Sequence, residues 1–308
     1  MRILVTGGAG FIGSHVVDRF VVLGHEVAVL DNLSTGKREF VNRKAHLFET
    51  DITDPAAVER CVAEWTPEIV DHHAAQIDVR HSVDDPVFDA RTNILGALEL
   101  LQACRRHSVR KFIYASTGGA LYGEGRHLPA TEDHPINPES PYGASKHALE
   151  HYLHLWKLLH GLDFTVLRYP NVFGPRQNPH GEAGVNAIFI GLMLHGKRPR
   201  IFGNGEALRD YVYVDDVVEA NVLALERGSG EMVNIGTGIG TSVNDIFREL
   251  KSILGFSLEP LYEAARPGEV QKIYLDATRA KRVLGWTPKT SFRAGLEKTV
   301  GWSRTAGV

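Results

Sequence analysis

Apolar residues along this chain cluster into short continuous runs that alternate with longer segments apolar on one face only. Ile3-Leu4-Val5 is such a run and reads as a strand buried on both sides. Residues 14–23 carry apolar positions at helical spacing, and 26–30 form a second run that ends at Asp31. The alternation goes on with a strand at 45–49, a helix at 55–64 with Pro55 in its first turn, and a strand at 69–72. A long helix at 86–107, a strand at 111–116, a helix at 141–160 and a strand at 164–169 follow. Repeated strand–helix units predict a parallel sheet with helices on both faces. Past Tyr169 the pattern changes. Residues 171–186 are rich in glycine, proline and polar side chains, 233–236 read as one more sheet strand, and 243–254 as a short helix.

The turn after the first strand carries the most specific chemistry. Gly7-Gly8-Ala9-Gly10-Phe11-Ile12-Gly13 lies between a strand and a helix, which is the context a dinucleotide-binding fingerprint needs. The glycines let the backbone turn tightly and approach a pyrophosphate, and the helix start offers free N–H groups to it. Asp31 stands about twenty residues further on, where a carboxylate accepts the ribose hydroxyls of NAD. The expected architecture is therefore α/β: a Rossmann-type doubly wound parallel sheet with a smaller C-terminal substrate lobe. Residues 1–170, with about 205–236 returning to them, are expected to form the NAD-binding domain. Residues 171–204 and 237–308 are expected to form the lobe. Ligands of such sheets sit beyond the carboxyl ends of the strands, where Gly7, Asp31, Asp51, His73, Ser116 and Tyr169 fall.

Composition narrows the alternatives. The 308 residues are 43% hydrophobic and 23% charged, ordinary values for a globular protein. A net charge of −3 gives no basic footprint for nucleic acid. No stretch is long and apolar enough to span a bilayer, and no secretory leader is expected at the N-terminus. The two cysteines, Cys61 and Cys104, read as free buried thiols of a cytoplasmic protein.

Tyr142-Gly143-Ala144-Ser145-Lys146 is the second strong signal. Residues four apart share a helix face, so Tyr142 and Lys146 point into one space. An ammonium beside a phenol favours the phenolate and yields a general base usable near neutrality. Ser116-Thr117 at a strand end adds hydroxyls to the same region.

Together these residues resemble those of the extended short-chain dehydrogenases/reductases, and within that group the UDP-glucose 4-epimerases. The likeness runs essentially end to end. Its marks are Gly7–Gly13 with Phe11 and Ile12, Asp31-Asn32-Leu33, Asp51-Ile52, His72-His73-Ala74-Ala75 and Asn93. Further marks are the Tyr142/Lys146 pair, Leu167-Arg168-Tyr169, Asn171, Arg209-Asp210-Tyr211, and Arg266 with Glu269. The resemblance implies an NAD site built from Gly7, Gly10, Phe11, Ile12, Gly13, Asp31, Asn32, Asp51, Ile52, His73, Ala74, Ala75, Asn93, Ser116, Tyr142, Lys146 and Tyr169. It implies a UDP-sugar gripped by Asn171, Arg209, Arg266 and Glu269, with arginines pairing to the diphosphate. It also implies a homodimer through the Leu95-region and Tyr142-region helices. In the family's reaction Tyr142 takes the proton of the sugar 4-hydroxyl and hydride leaves carbon 4 for the nicotinamide. The 4-keto sugar turns over and takes hydride back on its other face.

One departure concerns the catalytic hydroxyl. Counted from Tyr122, the family's serine or threonine position falls on Gly118; counted from Tyr142 it falls on Thr117. Thr117 is the expected residue, with Ser116 as the alternative. Sugar 4,6-dehydratases carry Asp-Glu directly after that threonine. Gly118-Gly119 stand here, so dehydration lacks its acid and base. The family's gate for the sugar 2-substituent falls on Ile273, a stiff β-branched residue expected to favour UDP-glucose and UDP-galactose over N-acetylated sugars. Uronate and N-acetylhexosamine variants remain alternatives, as does a non-catalytic dinucleotide-binding protein. His147-Ala148-Leu149-Glu150-His151 matches an inverted zinc-peptidase pattern. It shares its helix with Tyr142 and Lys146, lacks a convincing third ligand, and reads as a polar helix face, so no metal is expected.

Overall fold

A computed structural model describes residues 1–179, 184–265 and 270–306. In the first half, strands β1 (Arg2–Thr6), β2 (Glu26–Asp31), β3 (His46–Glu49), β4 (Ile69–His72) and β5 (Lys111–Thr117) alternate with helices α1 (Phe11–Val22) and α2 (Pro55–Trp65). Between β4 and β5 run α3 (Val79–Asp84), α4 (Pro86–Ala90) and α5 (Ala97–Arg106). Helix α6 (Pro141–His160) then leads to β6 (Asp163–Tyr169) and β7 (Asn171–Phe173). The later chain adds α7 (Val185–Leu194), β8 (Arg200–Phe202), β9 (Leu208–Arg209), β10 (Tyr211–Tyr213), α8 (Val214–Ala224) and β11 (Glu231–Asn234). It closes with β12 (Thr241–Ser242), α9 (Val243–Leu254), β13 (Leu261–Glu263), β14 (Lys272–Ile273), α10 (Thr278–Val283) and α11 (Phe292–Ala306).

The central sheet has seven strands in the order β11-β6-β5-β4-β1-β2-β3, and every neighbouring pair is parallel. The order reverses at β1, which makes the sheet doubly wound, as the alternating pattern predicts. Ile3 and Val5 face one apolar core with α1 and α8, while Leu4 between them faces a second core with α2, α5 and α6. That alternation is the two-residue period of a strand buried on both faces.

The sheet's carboxyl edge is shaped by what ends each strand. α6 begins sharply because the Ser140 hydroxyl accepts from the Gly143 amide at 3.2 Å and Pro141 fills the first helical position. This fixes Tyr142 in the first turn, beside the end of β5. Smaller sheets, β7 with β10, β9 with β12 and β14, and β8 with β13, lie outside the central sheet.

The segment 86–107, predicted as a single helix, contains a π-helical turn at Arg91–Gly96 between α4 and α5. Residues on both sides keep right-handed helical dihedrals, so the helix widens without breaking. The wide turn sets the buried Asn93 amide among Gln76, Asp89 and Ser145. Such turns concentrate at functional sites and leave no mark in a hydrophobic period.

Candidate active site

The glycine turn is shaped for a phosphate ligand. Gly7 has φ of 68°, and a Cβ there would stand 2.6 Å from the Ala74 amide nitrogen. A Cβ on Gly13 would stand 2.3 Å from the Gly7 carbonyl oxygen, so only glycine lets α1 approach β1 this closely. Gly10 caps α1 without any side-chain bond, which leaves the first N–H groups of the helix, at half-buried Phe11 and Ile12, available to an anion.

Asp31 ends β2 with one carboxylate oxygen accepting from the Ala9 amide at 2.9 Å and the other from Leu33 at 2.8 Å. A carboxylate has about four acceptor positions, so both oxygens retain a lone pair for ribose hydroxyls. The nearby cations are engaged elsewhere: Arg38 with Glu49, and Lys37 with Glu39 at 3.8 Å. A cofactor phosphate at the 2′ position would meet the negative charge of Asp31. The expected outcome is NAD binding at least about tenfold tighter than NADP, the order of one charged hydrogen bond. Asp31→Ser should narrow the gap. Titration with each dinucleotide reads it, and equal affinities in the unaltered protein would count against this role.

Asn32 donates to Asp51 at 2.7 Å and ties the loops after β2 and β3 together. Burial pushes the Asp51 carboxyl up, but hydrogen bonds from Thr53 and Asn32 outweigh it and hold Asp51 below its ordinary value. Ile52 is buried under Gly96. Ala74 and Ala75 follow β4; the Ala74 amide donates to the Thr6 hydroxyl at 3.1 Å. His72 is neutral: burial first, then Lys146 and His73, push it well below 6.5, and it contacts the Thr6 hydroxyl at 2.7 Å. His73 lies 3.0 Å from fully buried Asp71 and stacks on Tyr169. The Tyr169 hydroxyl turns into the core, bonded to Asn221. Asn93 is also spent inside the protein. Its side chain bonds Gln76, Asp89 and Ser145, so it braces the loop after β4.

At the mouth of this cradle the two hydroxyl candidates part. Neighbouring strand residues point to opposite faces. Ser116 donates to Glu150 at 2.7 Å inside a buried network. Thr117 instead faces the Tyr142 side chain, and its oxygen accepts from the Ala120 amide at 3.2 Å. A Cβ on Gly118 would meet Leu275 Cδ1 at 2.4 Å. A Cβ on Gly119 would stand 3.7 Å from Asn171 Oδ1 and 3.9 Å from Thr117 Oγ1. Thr117, Tyr142 and Asn171 thus border one space.

The charges of the pair differ from the sequence expectation. The Lys146 ammonium sits 4.4 Å from the centroid of the Tyr114 ring. Burial draws Lys146 down to about 7 against the pull of Glu150 and Asp89. Tyr142 is pushed up to about 12 by burial and then by Asp89, against the Thr117 hydrogen bond. Lys146 is not among the groups that shift Tyr142. The lowering expected from spacing alone is overridden by desolvation, which spacing does not report.

Arg209 pairs with Ile273 across β9 and β14, and its guanidinium donates to the carbonyls of Leu208 and Val270. It therefore lies beside the segment leading to Arg266 and Glu269, which fall outside the described residues. Asp210 next to it gathers the Thr237, Gly238 and Leu275 amides and fixes the strand arrangement around the cleft. Ile273 is 2% exposed and packs with Leu121, Tyr122, Ala130 and Leu275.

Residues 3–236 match the model of the NAD dependent epimerase/dehydratase family. The chain belongs to that family. It is 45% identical over 310 residues to the UDP-glucose 4-epimerase of Mycolicibacterium smegmatis, with 99% of each chain covered. Its structure is similar to the UDP-glucose 4-epimerase of Thermotoga maritima solved with UDP-glucose, with a TM-score of 0.98, 52% identity and 100% of both chains covered. The Thermus thermophilus UDP-glucose 4-epimerase, solved with NAD, gives a TM-score of 0.94 at 46% identity over 99% of this chain and 100% of that one.

Within this epimerase/dehydratase frame, the sequence reading overlooked a second layer. Gln76, Asp89 and Ser145 form a buried polar cluster with Asn93, and Glu150 with Arg168 forms another. Glu150 appeared only as part of a zinc-like pattern. The structure gives His147 to Glu150 at 3.1 Å and His151 to His147 at 3.0 Å. Among the described residues no group of three or more potential ligands is arranged to hold a metal. The signal that could have exposed Glu150 was its place one turn beyond Lys146, on the same helix face.

Proposed function

We propose that this chain is an NAD-dependent epimerase of nucleotide sugars that interconverts UDP-glucose and UDP-galactose through a 4-keto sugar. The observation that carries the reading is Tyr142 and Lys146 on one face of α6, with Thr117 facing the Tyr142 phenol, at the open edge of a dinucleotide cradle. Full-length likeness to UDP-glucose 4-epimerases supports it. NAD would lie on Gly7, Gly10 and Gly13 with its ribose on Asp31, and when bound it supplies a reversible acceptor for the C4 hydride. Tyr142 holds and releases the proton of the sugar 4-hydroxyl. Thr117 orients that hydroxyl, and Lys146 supplies positive charge and a donor beside the nicotinamide ribose. Asn171, Arg209, Arg266 and Glu269 grip the UDP moiety, and Ile273 limits the space at the sugar 2-position. The NAD-binding part comprises residues 1–170 with about 205–236, and the substrate lobe 171–204 with 237–308.

The working form is a homodimer. Leu95 on the π-helical turn and Leu155, Leu158 and Leu159 on α6 are exposed apolar side chains, and the α6 residues form one stripe. Cytoplasmic location fits Cys61 and Cys104, which are buried and free of disulfides. Among the described residues no helix is long and apolar enough to cross a membrane.

Purified protein given UDP-glucose without added cofactor should form UDP-galactose, and acid denaturation should release NAD. Absence of UDP-galactose in protein that releases NAD would refute the substrate assignment. Thr117→Val should lower kcat by roughly one to three orders of magnitude, the range for one active-site hydrogen-bond partner. Ser116→Ala should mainly lower stability. A silent Thr117→Val beside a crippled Ser116→Ala would reverse the two roles.

A further inference from the structure

Asp89 is 1% exposed and lies in α4, one turn before the π-helical Asn93. One of its carboxylate oxygens accepts both from Gln76 Nε2 at 3.0 Å and from Asn93 Nδ2 at 3.1 Å. The other oxygen is fully buried and has no hydrogen-bond partner. Anchoring Gln76 and Asn93 needs a single acceptor atom, which an amide would supply without burying a charge. A carboxylate whose second oxygen is left bare is costly unless its charge has a use.

The surroundings identify that use. Asn93 bonds Ser145 at 3.2 Å, and Ser145 adjoins Lys146 on α6. From α6 the groups within electrostatic reach of Asp89 are Tyr142 and Lys146; from β5 it is the phenol of Tyr114. Lys146 also faces Glu150 one turn further on and neutral His72 on β4. Glu150 is already committed. Its two oxygens receive Arg168 at 3.0 and 2.7 Å, with Ser116 at 2.7 Å on the first and His147 at 3.1 Å from the second. Asp89 is the carboxylate near Lys146 that still has an uncommitted oxygen.

We propose that Asp89 is a positioning residue of the active site, whose buried negative charge sets the protonation balance of the Tyr142–Lys146 pair. This rests on the assignment of Tyr142 and Lys146 as the proton-handling residues of the epimerase. The charge holds the proton on Lys146, keeping an ammonium in a pocket whose burial opposes it. The same charge holds the proton on Tyr142, so the phenol does not ionise until a positive group arrives beside it. Both effects have one sign: removing the charge eases loss of a proton from either residue.

The test compares wild type, Asp89→Asn and Asp89→Glu in kcat/KM for UDP-galactose across pH. A second readout, independent of turnover, is the ultraviolet titration of the Tyr142 phenol, taken as the difference from Tyr142→Phe. Asp89→Asn should slide both limbs of the profile to lower pH by about one unit, the low end for loss of a nearby buried charge, and lower the phenol titration likewise. Asp89→Glu should bring both back toward wild type. Limbs and phenol titration that superpose on wild type, with only a lower plateau, would overturn the proposal, as would Asp89→Glu behaving like the neutral variant. Asp89→Ser is the second neutral variant should Asp89→Asn fail to fold. If wild type shows no epimerase turnover, the functional assignment fails, and the phenol titration still decides the role of Asp89.

Discussion

Tyr142→Phe should lower kcat by about two to four orders of magnitude, the range contributed by a positioned acid–base group, with NAD content unchanged. The substitution removes one oxygen and keeps the ring. What is lost is the polar contact with Thr117 and the proton carrier at that point of the site. The folded chain can spare the group, because the Tyr142 amide, not its hydroxyl, makes the tie to Ser82 at 3.1 Å that docks α3 on α6. The cradle at Gly7–Gly13 and Asp31 is untouched. A large fall in kcat with small change in KM, normal NAD release on denaturation and a melting temperature close to wild type together define the outcome. Turnover within tenfold of wild type would remove Tyr142 from proton transfer. Wild-type activity should also depend on pH through this residue. Its phenol, pushed up to about 12 by burial and Asp89, keeps its proton at neutrality in the protein alone. Base strength must therefore come from positive charge brought next to it on ligand binding, while Lys146, drawn down to about 7, loses its ammonium donor for the nicotinamide ribose as pH rises above neutrality. Activity should accordingly decline on the alkaline side.

What could be read from the chain itself was whatever local chemistry dictates. The strand, glycine turn and helix at 2–22 were legible because the positive φ of Gly7 and the contact of Gly13 with the Gly7 carbonyl both arise within the same unit. The parallel, doubly wound character of the sheet followed from the repeated strand–helix units. The preference for Thr117 over Ser116 rested on counting alone. Spacing placed both near Tyr142, and only the pleat, turning Ser116 to Glu150 and Thr117 to Tyr142, separates them. The charge state of the Tyr142–Lys146 pair was misjudged because desolvation depends on what α4 and β5 place over the helix, and those segments are distant in sequence. The π-helical turn was hidden for a related reason. Its hydrogen bonds to Gln76 and Ser145 are tertiary, and an apolar period continues through it.

Arg168 and Glu150 carry the largest expected effect on stability. Both side chains are at most 4% exposed, and they meet through two hydrogen bonds of 3.0 and 2.7 Å. Arg168 also donates to the Tyr122 hydroxyl at 2.8 Å, and that hydroxyl reaches Asn234 at 2.8 Å, so β5, β6, β11 and α6 share one polar junction. Burial works to raise the Glu150 carboxyl, but hydrogen bonds from His147 and Arg168, the Arg168 charge and Ser116 together hold it below its ordinary value. Glu150→Gln leaves a buried guanidinium without a counter-charge, which typically costs about 3–5 kcal/mol. For a chain of this size that corresponds to a loss of roughly 5–10 °C in melting temperature. Glu150→Leu combined with Arg168→Met should recover most of it, because an apolar replacement removes the unpaired charge along with the pair. The pH dependence has a definite sign. A carboxyl held below its ordinary value contributes stability that is complete above the unfolded value of about 4.3 and is lost as pH falls through the lower folded value. The gap between wild type and Glu150→Gln should therefore be constant at neutral pH and close only in acid, below the range where exposed glutamates titrate. Thermal unfolding of the three proteins from neutral to acid pH measures it. A Glu150→Gln melting temperature equal to wild type at neutral pH, or a gap that closes as pH rises, would show that the pair is not ionised in the folded protein.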